Sequence, residues 1–352
     1  MKTVFKSVAK TFFSIFLIIN ILLFTDRMIS AAYNTLMLWF NTVIPSLFPF
    51  MVISSWLDFN VHTHKTTADK ITLRLFGVPS SLMPVFIIGT LSGYPTGARL
   101  ISELYINKRI TKGTAEHLLA FCNNAGTVFI VSAVASSMLK DRFAALFFIT
   151  ITALSSLITG MIYNVAFPAD DSDFYSSISL IGQKSTPIGE AISSAVKAIL
   201  TVGGCMVFFS VITEAVTGLI SDISIVHYGV ISGIFEFTRG ISLIAAANSD
   251  KRFAYAIIAG LLSWGGLSVH LQTAAVINSD KINIIKYLLC KAFSSFVSFL
   301  TAINTYNIFY TKTSSISVFN EAKTYYSPIV ISVILSTLML VINIAVQKKD
   351  SV

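Results

Sequence analysis

Charge is scarce in this chain. Only 12% of its 352 residues are Asp, Glu, Lys or Arg, about half the share in an ordinary soluble domain. No polar stretch is long enough to fold as a soluble domain, so a two-domain soluble protein of this length is excluded. Cysteine is scarce too. Cys122, Cys205 and Cys290 each lie inside an apolar segment without metal-ligand spacing, and read as small packing residues. His62-Thr-His64 is a close histidine pair in a polar loop with no third ligand nearby, which gives neither a metal site nor an enzyme. No Walker motif or nucleotide-binding loop is present, so the chain does not itself use ATP. A clear small-residue cleavage site is missing before Asp26 and Arg27. The basic, then apolar, N-terminus therefore reads as an uncleaved first span rather than a signal peptide.

What the chain has is apolar length. It is 54% hydrophobic, with 28 phenylalanines and a mean hydropathy of +0.76. A span needs about 20 mostly apolar residues. Runs of that kind fall near 7–25, 29–57, 114–139, 142–166, 190–220, 253–277, 283–310 and 326–347. Two others, 81–106 and 223–247, carry glycine and polar residues near their middles and read as re-entrant hairpins. The expected fold is thus all-α and polytopic, with about eight crossings and two hairpins.

Most basic residues flank apolar runs, so the net charge of +8 is a topology signal rather than a sign of nucleic-acid binding. Along that path fifteen lysines and arginines collect on the side of both termini, against seven on the other, which puts the termini in the cytoplasm.

The order of elements repeats. An N-terminal helix (1–28) precedes a first unit of helix, hairpin, broken helix and helix (29–166). A polar cytoplasmic loop (167–189) leads to a second such unit (190–310), and a loop and last helix follow (311–352). Gly89-Thr-Leu-Ser-Gly93 and Gly126 recur 140 residues later as Gly229-Val-Ile-Ser-Gly233 and Gly266. Each unit crosses three times, so the second is inverted. Inverted repeats whose discontinuous helices meet at mid-membrane are the architecture of secondary transporters.

Four breaks carry the candidate site. The first is Ser92-Gly93-Tyr94-Pro95-Thr96-Gly97: glycines for tight reversal, a proline suited to a first helical turn, and two hydroxyls. A kinked helix is the plainer reading. The second holds Asn123, Asn124, Gly126 and Thr127, and adjacent asparagines cannot share one helix face. They either line a cavity or form interhelical hydrogen bonds, worth about 0.6 kcal/mol each. The third is Glu236-Phe-Thr238-Arg239-Gly240. An intramembrane charge is a site hypothesis by default, though spacing of three also allows a Glu236–Arg239 pair. Thr238 is the expected N-cap. The fourth contains Ser263, Gly265, Gly266, Ser268, His270 and Gln272. Ser268 and Gln272 share a face there, while His270 points elsewhere.

Together, GTLSGYPTGA, the Asn-Ala-Gly break, the Glu-x-Thr-x-Gly hairpin, GLSVHLQ and the early Ile44-Pro-Ser-Leu-Phe-Pro-Phe50 resemble the sporulation integral membrane proteins of the nucleoside-recognition (Gate) superfamily. The resemblance runs from about 40 to 310, and departs from the family where Gly126-Thr127 stands in place of Gly-Pro. It implies a fold similar to concentrative nucleoside transporters, with all four breaks lining a substrate site. It also implies dipicolinate as cargo, as in the family's stage V sporulation type, and a place in the outer forespore membrane.

The expected function is a membrane transporter of a small anionic or heteroaromatic solute, with Arg239 contacting a carboxylate. A cation-coupled nucleoside-type transporter and a non-transporting scaffold are the alternatives. No cofactor is expected. The coupling ion (proton or sodium) and a homo-oligomeric state are open, and the partners are the solute and the bilayer.

Overall fold

The computed structural model describes residues 2–56, 67–168, 187–220, 222–277 and 282–317. Among them no strand occurs; every regular element is helical. The elements are α1 (Lys2–Leu23), α2 (Thr25–Leu38), a π-helical turn (Trp39–Val43), α3 (Ile44–Trp56), α4 (Thr67–Phe76), α5 (Met83–Ser92) and α6 (Thr96–Ile106). Then come α7 (Lys112–Cys122), α8 (Thr127–Phe129) running into a π-helical stretch (Ile130–Met138), and α9 (Arg142–Ala166). The second half holds α10 (Ile188–Thr217), α11 (Ile225–Phe235), α12 (Phe237–Ala246), α13 (Lys251–Trp264), α14 (Gly266–Ile277) and α15 (Ile284–Ser317). The chain divides into two compact units at 304/305.

Among the described residues six helical segments are long and apolar enough to cross a membrane. They are Thr25–Trp56, Lys112–Met138, Arg142–Ala166, Ile188–Thr217, Lys251–Ile277 and Ile284–Tyr310. A seventh arises if Ala68–Phe76 and Ser80–Ser92, bent by 74°, form one span. Eight crossings were expected. The apolar part of α1, Lys10–Leu23, is shorter than a standard span. The C-terminal run 326–347, most of the loop 167–189 and the pair His62/His64 lie outside the described residues.

Both glycine-rich runs break where their polar residues stand. Helix α5 ends at Ser92, Gly93 takes a left-handed φ of 81°, and α6 starts at Thr96. The two arms fold back on each other: a Cβ on Gly89 would sit 3.3 Å from the Gly97 Cα. Arms α11 and α12 pair more tightly, since a Cβ on Gly240 would come within 2.3 Å of the Gly233 Cα. Lipid gives helices no hydrophobic reason to associate, and small residues allow close backbone packing instead.

Helix α10 packs along α2 and α3. Gly203 leaves room for the Trp39 ring, whose Nε1 donates to the Ile199 carbonyl at 3.2 Å. On the other side Phe76, Val85, Ile101, Leu118, Phe121 and Tyr287 form a buried core around α5–α7. Helix α4 was not expected. It is amphipathic and tied to α9 by Asn164, which donates to the Leu73 and Arg74 carbonyls.

Candidate functional site

The four interruptions meet. Gly93 lies against Gly126, where an added Cβ would come within 2.6 Å of the Gly126 nitrogen. Gly266 lies against the α11–α12 junction, where a Cβ would sit 3.0 Å from Phe235 O and Phe237 N. Tyr94 joins the two pairs. Its ring packs on Gly265, and its hydroxyl donates to the Ser263 and Leu262 carbonyls at 3.3 and 3.4 Å. Carbonyls freed at the C-terminal end of α13 are thereby satisfied, which buried backbone requires.

A cavity opens beside this junction. Tyr94, Ala125, Gly126, Phe129, Glu236, Phe237, Thr238, Val269 and Gln272 line one side, and Val43, Leu47, Val202 and Met206 close the other. About 20 Å³ is open to the centre of a water-sized guest, room for a water or two and not for an aromatic ring. Of the residues singled out from sequence, Tyr94, Gly126, Glu236, Thr238 and Gln272 line it. The others surround the junction without reaching the cavity.

Glu236, 1% exposed, is the N-cap of α12. Its carboxylate accepts from Thr238 N at 3.1 Å and Arg239 N at 2.7 Å. The cap is therefore Glu236 and not Thr238. Arg239 turns away from both. Its guanidinium donates to Glu214 Oε2 at 2.9 Å and Ser210 O at 3.0 Å, and also to the Tyr228 hydroxyl. Arg27 holds the other Glu214 oxygen, and Tyr228 donates to the same carboxylate. Glu214, at the end of α10, displaces Glu236 as the arginine's partner.

Asn123 and Asn124 tie elements together. Asn123 Oδ1 accepts from Ala98 N at 3.3 Å, and Nδ2 donates to Thr273 and Tyr287 at 3.0 and 2.9 Å. Asn124 Nδ2 donates to the Phe121 carbonyl at 2.7 Å. Between them sits Lys291, 1% exposed, donating to Asn123 O at 2.8 Å and Asn124 Oδ1 at 3.2 Å. The sequence reading passed over it. A lone lysine in an apolar run carried the same signal that had marked Glu236 and Arg239.

The remaining candidates pack around the junction. Ser92 is buried at the end of α5 and Thr96 opens α6 beyond a cis Tyr94–Pro95 bond. Gly97 sits against the Cys122 carbonyl, and Thr127 Oγ1 reaches the Leu91 carbonyl at 3.5 Å. Ser263 belongs to a hydroxyl cluster with Ser155, Ser294 and Ser298. Ser268 Oγ and both His270 ring nitrogens are buried without a hydrogen-bond partner. The His270 ring lies edge-on to Trp264, centroids 4.3 Å apart.

Apolar spans around a polar interior of broken helices make this a multi-pass membrane protein. Among known proteins it is similar to the sporulation integral membrane protein YlbJ of Bacillus subtilis, 24% identical over 316 residues, or 79% of this chain and 78% of that protein. No family profile matches the chain, and no solved structure matches it.

Proposed function

We propose that the chain is a transporter of a small anionic or heteroaromatic solute, admitted when the cavity widens beyond its present volume, and that it serves spore formation. One observation carries this: four helix breaks, far apart in sequence, converge on one cavity that is largely apolar but has Glu236, Thr238 and Gln272 in its wall. Irregular backbone at membrane depth is tolerated where protein buries it or a cavity uses it, and transporters place substrate and ions at such breaks. The scaffold alternative gives no reason for a cavity there.

The pairing of Gly93 with Gly126, and of the Glu236 junction with Gly266, supports a repeat of two units. On that reading α5–α6 and α11–α12 are re-entrant hairpins entering from opposite sides, and both termini are cytoplasmic. Similarity to YlbJ supports the link to sporulation, and the motif resemblance extends it to the outer forespore membrane.

Dipicolinate is the cargo that the motif resemblance implies. One observation favours an uncharged heteroaromatic solute such as a nucleoside instead: Arg239, the cation meant for a dianion, is engaged by Glu214, and the charge lining the cavity is the carboxylate of Glu236. Uptake of labelled dipicolinate and labelled uridine by proteoliposomes decides between them. Saturable entry of one names the cargo class. Entry of neither, from protein that is folded and inserted, ends the transport reading.

A further inference from the structure

Helix α7 stops at Cys122, and Asn123 leaves it in an extended conformation. The end of a half-helix carries partial negative charge on its unpaired carbonyls, and in membrane transporters such ends hold small cations. Here one of those oxygens already faces a cation, and the chain supplies it. Lys291 Nζ donates to Asn123 O at 2.8 Å and Asn124 Oδ1 at 3.2 Å, and lies 5.2 Å from the Tyr94 ring centroid. An ammonium has three donors and no acceptor; two oxygens and a π face engage it.

No described carboxylate pairs with Lys291, since the five ion pairs among the described residues all involve other groups. A buried charge without a counter-ion is costly, so a lysine kept only for packing would be out of place. The fourth break offers the contrast. There the carbonyls of Leu262 and Ser263 accept from the neutral Tyr94 hydroxyl. The two half-helix ends are thus filled differently, one by a charge and one by a phenol.

We infer that the Lys291 ammonium is a tethered cation filling a seat that would otherwise take a free monovalent metal ion. The seat's oxygens, a backbone carbonyl and a side-chain amide, are hard donors suited to sodium. The chain then runs without sodium at this position, and removing the ammonium opens the seat. This rests on the proposed transport function only for its uptake arm, because ion binding is measured separately.

The test is thermal unfolding of the purified full-length chain in detergent, in sodium, lithium, potassium or choline chloride at equal ionic strength. The native chain is expected to melt at the same temperature in all four. Lys291→Ala and Lys291→Ser are expected to melt lower in choline and to regain about 2 °C or more in sodium, as linkage to an ion bound only by the folded state requires. Lys291→Gln, which fills the seat without charge, stays low and insensitive. In proteoliposomes, uptake by the native chain is sodium-independent and that by Lys291→Ala becomes sodium-dependent. A sodium shift in the native chain overturns the inference. So does the absence of any sodium-specific gain in both small variants, including their failure to be recovered folded in sodium. If no solute is taken up at all, the transport reading falls while the melting data still decide the seat.

Discussion

Arg239 and Glu214 meet through Nη2 and Oε2 at 2.9 Å, joining the first turn of α12 to the last turn of α10. Their side chains are 15% and 7% exposed, so neither charge is solvated well enough to be left alone. Arg239→Gln is expected to cost about 3 kcal/mol, the scale for breaking a buried pair from one side. It should lower membrane abundance before it affects solute choice. Because Arg27 also depends on Glu214, the double variant Arg239→Gln/Glu214→Gln should recover abundance only in part. Native abundance of Arg239→Gln together with lost uptake would return the arginine to the solute.

Glu236 combines a capping role with a place in the cavity wall, and two substitutions separate them. Glu236→Ala removes the cap of α12, a loss of about 1 kcal/mol, along with the charge. Thr238 N and Arg239 N use separate carboxylate oxygens, so Glu236→Gln removes the charge and keeps an acceptor for only one of the two N–H groups. The alanine variant should lose thermal stability and uptake together. The glutamine variant, with half of the cap, should lose less stability than the alanine variant while its preference between charged and uncharged solutes changes. Equal behaviour of the two would leave the carboxylate no role beyond the cap.

The glycine contacts predict a sharp contrast. A Cβ at Gly93 would meet the Gly126 nitrogen at 2.6 Å with φ at 81°, and one at Gly240 would meet the Gly233 Cα at 2.3 Å. Gly93→Ala and Gly240→Ala should each cost about 2–3 kcal/mol or more through overpacking and strain, read as loss of folded protein in fluorescence-detected size exclusion. Gly189 and Gly204 have nothing within 4 Å, and their alanine variants should behave as the native chain. Uniform tolerance would mean that the breaks do not pack this closely.

Cysteine labelling tests the cavity. In a background without Cys122, Cys205 and Cys290, Gln272→Cys and Thr238→Cys should react with small polar thiol reagents and be protected by the transported solute. Ser268→Cys, buried and away from the cavity lining, should react far more slowly. Equal protection of all three positions would contradict a solute-accessible cavity.

The breaks were legible because glycine, proline and paired polar residues inside apolar runs leave few alternatives, and α9 was readable to the residue from Arg142 to Ala166. The partner of Arg239 was not. Spacing reveals neighbours on one helix, such as Glu236, whereas Glu214 arrives 25 residues upstream through packing alone. Helix α4 was hidden because a short amphipathic stretch rich in Thr, Lys and Arg looks like a polar loop until α9 gives it a surface. Lys291 was visible in the sequence, but its seat needed the end of α7, 167 residues away from it at Asn124.

Within each pair the breaks touch through backbone atoms and the small faces of glycines, and the Tyr94 side chain links the two pairs. Close backbone contact leaves such a junction little room to yield, so α5–α6, α7–α8, α11–α12 and α13–α14 are expected to move together. The opposite wall, Val43, Leu47, Val202 and Met206, is held by side-chain contact and is interrupted by a π turn ending at Val43. Compliance is therefore concentrated there. Spin labels across α3 and the junction should change separation when solute is added, whereas labels on the α5–α6 and α11–α12 pairs should keep theirs.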